Sequence, residues 1–435
     1  MRNLPIVVTI LGLAGCTGTD PSASGVFPTA GFLGRSVRVE ISGDATEWGA
    51  SSKVSFGEGI TVDSVTVASP TALFADITIA DNAPIGLRDV VVTGGDNVTL
   101  KQAFEIESPI TITLRGSLAQ GSIATVDVVN HDFDTPFDTT STSAGLFSPP
   151  VFTNISATAG NGVRVQVDDV TPYGISATML IDIDGQTGPL AFTSGPTGKF
   201  PLGADVAIAA RTAMPLTAGM TATATSTKPV ESFLYEFTPA AFPALARFQV
   251  ATSGMGSPGV AVLPASGHFA DLLGAAADQR QVAKAGKFYA VLYDLSGETG
   301  AYTIRAGSAL LSIAADTEPT NNTQGGATAC ALPCLVENAT VASITDQDWF
   351  VFTAVANDVG KKVRVRTKPG DDLTDTRVEV LAGATTLGGP SSDNGYHENH
   401  LSAAIPAAGP ISTKIFASPE YDPTQTHYDA LIYLE

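Results

Sequence analysis

The chain of 435 residues is poor in charge, in basic side chains and in cysteine, and each shortage excludes something. Only 23 Lys and Arg stand against 43 Asp and Glu, a formal net charge of −20, which argues against nucleic acid and against electrostatic adhesion to anionic lipid. Five histidines are present, none in a plausible relation to a nucleophile, and no Gly-x-Ser-x-Gly occurs, so no hydrolytic triad is legible. The apolar run from Leu4 to Leu13 is about half of what a membrane-crossing helix needs. What remains is aliphatic and β-branched, with 43 glycines and 27 prolines, the composition of a folded all-β protein rather than a disordered one. The length points to about three or four domains.

The three cysteines divide by position. Arg2, the short apolar run and the small residues that follow have the anatomy of a secretory signal peptide. Leu13-Ala14-Gly15-Cys16 resembles a bacterial lipobox, at which lipoprotein signals are cut and the cysteine acylated. The resemblance implies a signal over residues 1–15, a lipidated Cys16 and a membrane-bound envelope or outer-membrane location, with 16–25 a flexible Gly/Ser/Thr/Pro tether. Removing Arg2 leaves 22 basic against 43 acidic side chains, a formal charge of −21. In an oxidising compartment the close pair Cys330 and Cys334 is expected to form a disulfide. Its spacing is not that of a redox-active Cys-x-x-Cys, so a structural clip is expected.

From Phe27 the pattern alternates with period two: Val37, Val39 and Ile41, then Val62, Val65 and Val67, then Leu73, Ala75, Ile77 and Ile79. About seven such runs with turn residues between them predict a β-sandwich. Val54-Ser-Phe56-Gly57-Glu-Gly59-Ile60, Val65-Thr-Val67-Ala-Ser-Pro70-Thr71 and Ala83-Pro-Ile-Gly86-Leu-Arg88 resemble the IPT/TIG family of immunoglobulin-like domains over residues 26–108. Such modules are spacers or binding units, which implies no catalytic residue. Residues 109–228 repeat the plan more loosely, Val163 to Ile181 aligning with Ile60 to Ile79. Between Asn130 and Pro150 lies a long polar loop with His131, Asp132, Asp134 and Asp138.

A third pattern starts near Glu231 and recurs after residue 316: Tyr235-Glu-Phe237, Phe248-Gln-Val250 and Tyr302-Thr-Ile304 answer to Asp348-Trp349-Phe350, Val363-Arg-Val365 and Leu431-Ile432-Tyr433. Both stretches, 229–309 and 310–435, resemble the bacterial pre-peptidase C-terminal domain, a jelly-roll-like sandwich. Only the second carries the acidic stretches Asp316, Glu318, Asn321 and Asn322, then Asp346 and Asp348. In collagenase-type members of that family the matching stretches look like the two halves of a calcium site, and hard oxygen ligands of this kind suit calcium. Thr320 interrupts the usual Glu-Pro-Asn-Asn wording, so which Asn points inward stays open. Capped turns explain the same residues without an ion.

Other motifs dissolve on inspection. His397-Glu398-Asn399-His400 is one residue short of His-Glu-x-x-His and reads as a solvated loop. Gly254-Met-Gly256-Ser-Pro-Gly259 matches a dinucleotide fingerprint on paper, but Pro258 denies the helix, leaving a β-hairpin turn. Asp182-Ile-Asp184-Gly185 reads as a turn, Ala270 to Lys284 as loop or short helix, and Trp349 with Phe350 as core. The expectation is a tandem-sandwich, all-β lipoprotein that is not an enzyme. It binds, adheres or scaffolds outside the cytoplasm, its ligand an unknown protein or polysaccharide, with no nucleic acid and with calcium as the candidate cofactor. The rival is an accessory subunit of a secreted hydrolase or peptidase system, or a hydrolase whose site is not visible.

Overall fold

Alternation of apolar and polar residues becomes strands with one buried face. In Ser36–Asp44, Val39 and Ile41 are fully buried while Glu40 between them is half-buried and Arg38 before them is exposed. The computed structural model describes residues 20–143, 151–195, 198–201, 204–254, 256–269, 277–369, 375–391, 398–418 and 427–435. Residues 1–15 and Cys16 lie outside that range. The architecture is all-β, with three short 3-10 turns among the described residues.

The first sandwich has two four-stranded sheets. One runs Ser22–Phe27, Ser36–Asp44, Ala72–Ile79, Ile60–Ser69; the other Ala30–Phe32, Val98–Glu107, Gly86–Thr93, Lys53–Ser55. Phe56 and Phe104 meet edge to face between them, ring centres 5.2 Å apart. Ser22 to Gly25 already belong to the first strand, so the flexible stretch expected over 16–25 does not reach that far.

The second sandwich repeats the order of the first. Val163–Thr171, Gly174–Ile181, Ser122–Asn130 and Ile110–Gly116 stand as Ile60–Ser69, Ala72–Ile79, Ser36–Asp44 and Ser22–Phe27 do. Even the bulge recurs in the matching hairpin, between Val62 and Ser64 and between Val167 and Asp169.

The third and fourth sandwiches share another order. In the third, Met214–Pro215 lies parallel to Phe233–Phe237, followed by Phe288–Tyr293 and Gly259–Leu263; the facing sheet runs Thr221–Ser226, Gly300–Leu310, Ala244–Thr252, Asp278–Ala283. In the fourth, Thr328–Ala329 lies parallel to Gln347–Ala354, then Gly409–Ala417 and Thr376–Ala382; the facing sheet runs Cys334–Thr340, His427–Leu434, Lys362–Pro369, Asn399–Ala404. Each fourth-unit sheet has one further edge strand, Thr385–Gly388 and Ser312–Ala314.

Several expectations are corrected. Met214–Pro215 and Thr221–Ser226 pair within the third sandwich, so its sheets begin well before residue 229. A two-residue parallel strand carries too little periodicity to be read from sequence. Asp278–Ala283 is a strand against Ala244–Gln249, not loop or helix, while 270–276 lie outside the described residues. Gly254 to Gly259 is no hairpin turn: its flanking strands, Ala244–Thr252 and Gly259–Leu263, sit in opposite sheets. Asn399–Ala404 is a strand rather than solvated loop, and Glu398 before it is buried, its backbone exchanging 3.0 Å bonds with Thr367. Burial and the neighbouring Arg364 lower the pKa of His400, and His397 lies outside the described residues. Phe350 and Trp349 are both buried as expected, Phe350 within the apolar cluster between the sheets and Trp349 with the Lys414 ammonium 5.7 Å from its ring centre.

The junctions differ. Ile123 and Leu180 of the second sandwich pack with Leu234, Leu263, Val291 and Tyr293 of the third in a buried apolar cluster. Leu245 of the third and Leu311 meet Leu335 and Tyr433 of the fourth, and Arg280 stacks over the Tyr433 ring. The first and second sandwiches keep separate cores, joined through Ser108-Pro109.

Candidate functional site

The most chemically loaded place lies where Gln347–Ala354 enters the fourth sandwich. Strand alternation sends Asp348 inward with Phe350 and Phe352 and leaves it with no exposed surface. A carboxylate there is costly unless it is paired or protonated. The Tyr428 phenol, at the start of the neighbouring-sheet strand His427–Leu434, donates to Asp348 Oδ2 at 2.7 Å.

Residues 316–327 form a strap over this point, tightened by two short 3-10 turns, Thr320–Asn322 and Gln324–Gly326. Gly326 passes so close to the Thr320 carbonyl that a side chain there would collide with it. Gln324 pins the strap by donating to the Gly383 carbonyl at 2.9 Å. The strap delivers Asp316 and Glu318 beside Asp348, so that one oxygen from each lies within 4.8 Å of the others. Asp316 is oriented by Thr340, whose amide N–H and hydroxyl both donate to Oδ2 at 3.0 Å. Asn321 is fully buried, its amide nitrogen donating to Asp316 Oδ1 at 3.1 Å and Asp348 Oδ1 at 3.3 Å.

The electrostatics follow. Burial, then the charges of Asp316 and Asp346 and the Glu318 carboxyl, push the Asp348 pKa up to about 9, against the opposing Tyr428 bond. Without a cation, burial and this crowding therefore favour the protonated form of Asp348. Burial, then Asp348, with Asp316 and Asp346 behind it, raises Tyr428 well above the ordinary phenol range.

The residues fit a hard cation on an observation of their own. The carbonyl oxygens of Asn321 and Asn322 are buried without a hydrogen-bond partner. Exchanging the ends of the Asn321 amide, which the nitrogen and oxygen positions alone do not distinguish, aims its oxygen at the carboxylates. Of the six expected ligands, Asp316, Glu318, Asp348 and Asn321 converge. Asp346 stands apart: its oxygens accept from the Ala342 and Gln347 amides at 2.7 and 2.9 Å and close a turn. Tyr428 and Thr340, which orient the acids, carry no motif, and only the recurrence of a tyrosine at the same strand start, Tyr302, hints at one of them.

Beside the strap, Cys330 and Cys334 form the expected disulfide, both buried. A second convergent group joins the second and third sandwiches. The turn Asp182 to Gly185 presents Asp182 to the His268 ring nitrogen Nδ1 at 2.9 Å and Asp184 at 3.7 Å, and Asp182 also accepts from the Phe269 amide. The exposed ion pair accounts for their closeness.

No family model matches the chain, and no curated protein matches it. Among solved structures it is similar to the Plexin A4 extracellular region (10% identity, 45% of this chain, 19% of that one, TM-score 0.18). It is also similar to the Bacteroides ovatus mixed-linkage glucan utilization locus protein SGBP-B, in complex with a mixed-linkage heptasaccharide (9%, 66%, 74%, 0.19). A third is the Yersinia pseudotuberculosis adhesin InvE (11%, 47%, 67%, 0.18). The chain spans 19% of the plexin region. At such TM-scores these likenesses bear on neither ligand nor activity, and the fold class rests on the strands themselves.

Proposed function

We propose that the chain is a non-catalytic scaffold of the cell envelope, held to a membrane by lipid on Cys16 and presenting tandem sandwiches to a ligand outside the cytoplasm. In this reading the first two units are IPT/TIG-like, the last two are pre-peptidase C-terminal-like, and one calcium closes the last of them. The observation that carries it is the pair of buried apolar junctions, which join three successive sandwiches into one connected body. Asp316 and Asp348 serve a strap rather than a substrate cleft. Asp316, Glu318 and Asp348, with an Asn321 oxygen, would hold the calcium, which supplies the positive charge that lets the three carboxylates ionise together.

The anchor is tested in the full chain expressed in a bacterial envelope. Wild type should fractionate with membranes and yield a diacylated or triacylated Cys16 peptide by mass spectrometry, since two or more chains give stable attachment. Cys16→Ser should be released or left unprocessed. A mature N-terminus elsewhere in the wild type overturns the anchor.

A further inference from the structure

Between the first and second sandwiches lies a cleft of about 460 Å³, the size of a small-ligand site. Phe32, Arg35 and Glu107 line it from one side, His131, Phe133 and Asp134 from the other. The loop that carries the second set is held from beneath. Asn130 is buried and donates to the Thr135 carbonyl at 2.8 Å, while its own side-chain oxygen accepts from the Asp132 amide at 3.0 Å. Asp132, also buried, accepts from the Asp134 amide at 3.1 Å and from Arg35 across the cleft at 2.5 Å. His131 is held by its amide on the Pro109 carbonyl and by its ring on the Thr111 hydroxyl at 2.8 Å.

This frame holds up an open aromatic. Phe133 is 70% exposed and pairs edge to face with Tyr173, itself 40% exposed, ring centres 4.9 Å apart and planes at 72°. A loop held by buried hydrogen bonds that presents an open ring in a cleft with charged side chains is preorganised for a ligand with one flat apolar face and several hydroxyls. Arg35 neutralises Asp132, leaving Asp134 and Glu107 as the acceptors and repelling anions. Two rings set edge to face leave open flat surface rather than a cage, which favours a sugar ring over an enclosed cation. The cleft is also far smaller than a stable protein interface. From the Phe133 ring, its buried frame and the open acceptors we infer that this cleft binds a neutral saccharide, the pyranose C–H face on Phe133 and hydroxyls on Asp134, Glu107 and His131. The inference rests on the reading of the chain as a binding scaffold and names its ligand class.

The test uses the intact chain carrying Cys16→Ser on an array of neutral glycans, then affinity electrophoresis with the glycan retained. Phe133→Ala should weaken retention by about tenfold or more and Tyr173→Ala by less. Ile344→Ala, an exposed residue of the fourth unit, should change nothing. Retention should be insensitive to salt. Glycan binding that survives both aromatic substitutions overturns this site while leaving the binding reading intact. A steep fall with salt reassigns the cleft to a cationic ligand and overturns the saccharide. No glycan retained by wild type overturns the saccharide outright; if photo-crosslinking from position 133 in living envelopes then yields no adduct either, the binding reading falls with it.

Discussion

The third and fourth sandwiches share one strand order and solve the same problem in two ways. Both begin a long strand with a buried tyrosine, Tyr302 and Tyr428, whose phenol donates to an acid. In the third the acid is Asp294, whose other oxygen is already served by the Ser296 amide at 2.8 Å and the Ser296 hydroxyl. The position that corresponds to Asp348 in the third unit's entry strand is Phe233, which packs against the apolar core. In the fourth the acid is Asp348 itself, crowded by Asp316 and Glu318. A shared frame thus tolerates an apolar or an acidic entry strand, and the acidic one leaves a charge problem that a strap and a cation can settle.

The sharpest way to break this comparison is calcium. In the full chain followed by hydrogen exchange, calcium at a hundredfold excess over its dissociation constant should raise protection of the fourth unit by about 2.7 kcal/mol. The third unit should not respond, and Asp348→Asn should abolish the effect. An equal response in both units would show that calcium acts elsewhere.

Next in size are two losses confined to the fourth unit. Tyr428→Phe should cost about 2 kcal/mol in chelator, because Asp348 loses its strongest partner in a fully buried place. Replacing both Cys330 and Cys334 by Ala should cost about 2 kcal/mol by releasing a small closed loop. Denaturant melts measure both. Tyr302→Phe should cost about half as much, since Asp294 keeps its Ser296 bonds. A Tyr302→Phe loss equal to that of Tyr428→Phe would erase the distinction between the two acids.

The smallest effect is at the other face of the third unit. The Asp182 bond raises the His268 pKa above its ordinary 6.5. A raised histidine contributes stability that is whole below the ordinary value and is lost as pH rises through the raised one. Exchange protection of residues 182–185 should therefore decline over that interval in wild type and stay level in His268→Ala.

Where one face of a strand is buried and the other wet, the sequence declared it: Val39 and Ile41, or Ala75, Ile77 and Ile79, alternate cleanly. The junctions were illegible for the same reason. Ile123 and Leu180 point away from their own core into the next sandwich, so Ile123-Ala124 and Met179-Leu180-Ile181 read as short continuous apolar runs in which the outward residue is indistinguishable from core. The acids were legible as a group, but their division was not. Whether Asp346 or Asp316 faces Asp348 depends on which turn consumes backbone amides, and that is a property of the folded strap.

The link at Ser108-Pro109 has a mechanical meaning. Beyond it, apolar cores bind the second, third and fourth sandwiches into one stiff arm, whereas the first keeps a core of its own. An elbow at this link would have the cleft of Phe133 in its crook, spanned by the Arg35–Asp132 ion pair. Anything lodged there acts as a wedge that sets the angle. A load pulling on the arm would in turn widen or narrow the crook, so grip and tension are coupled through a single joint.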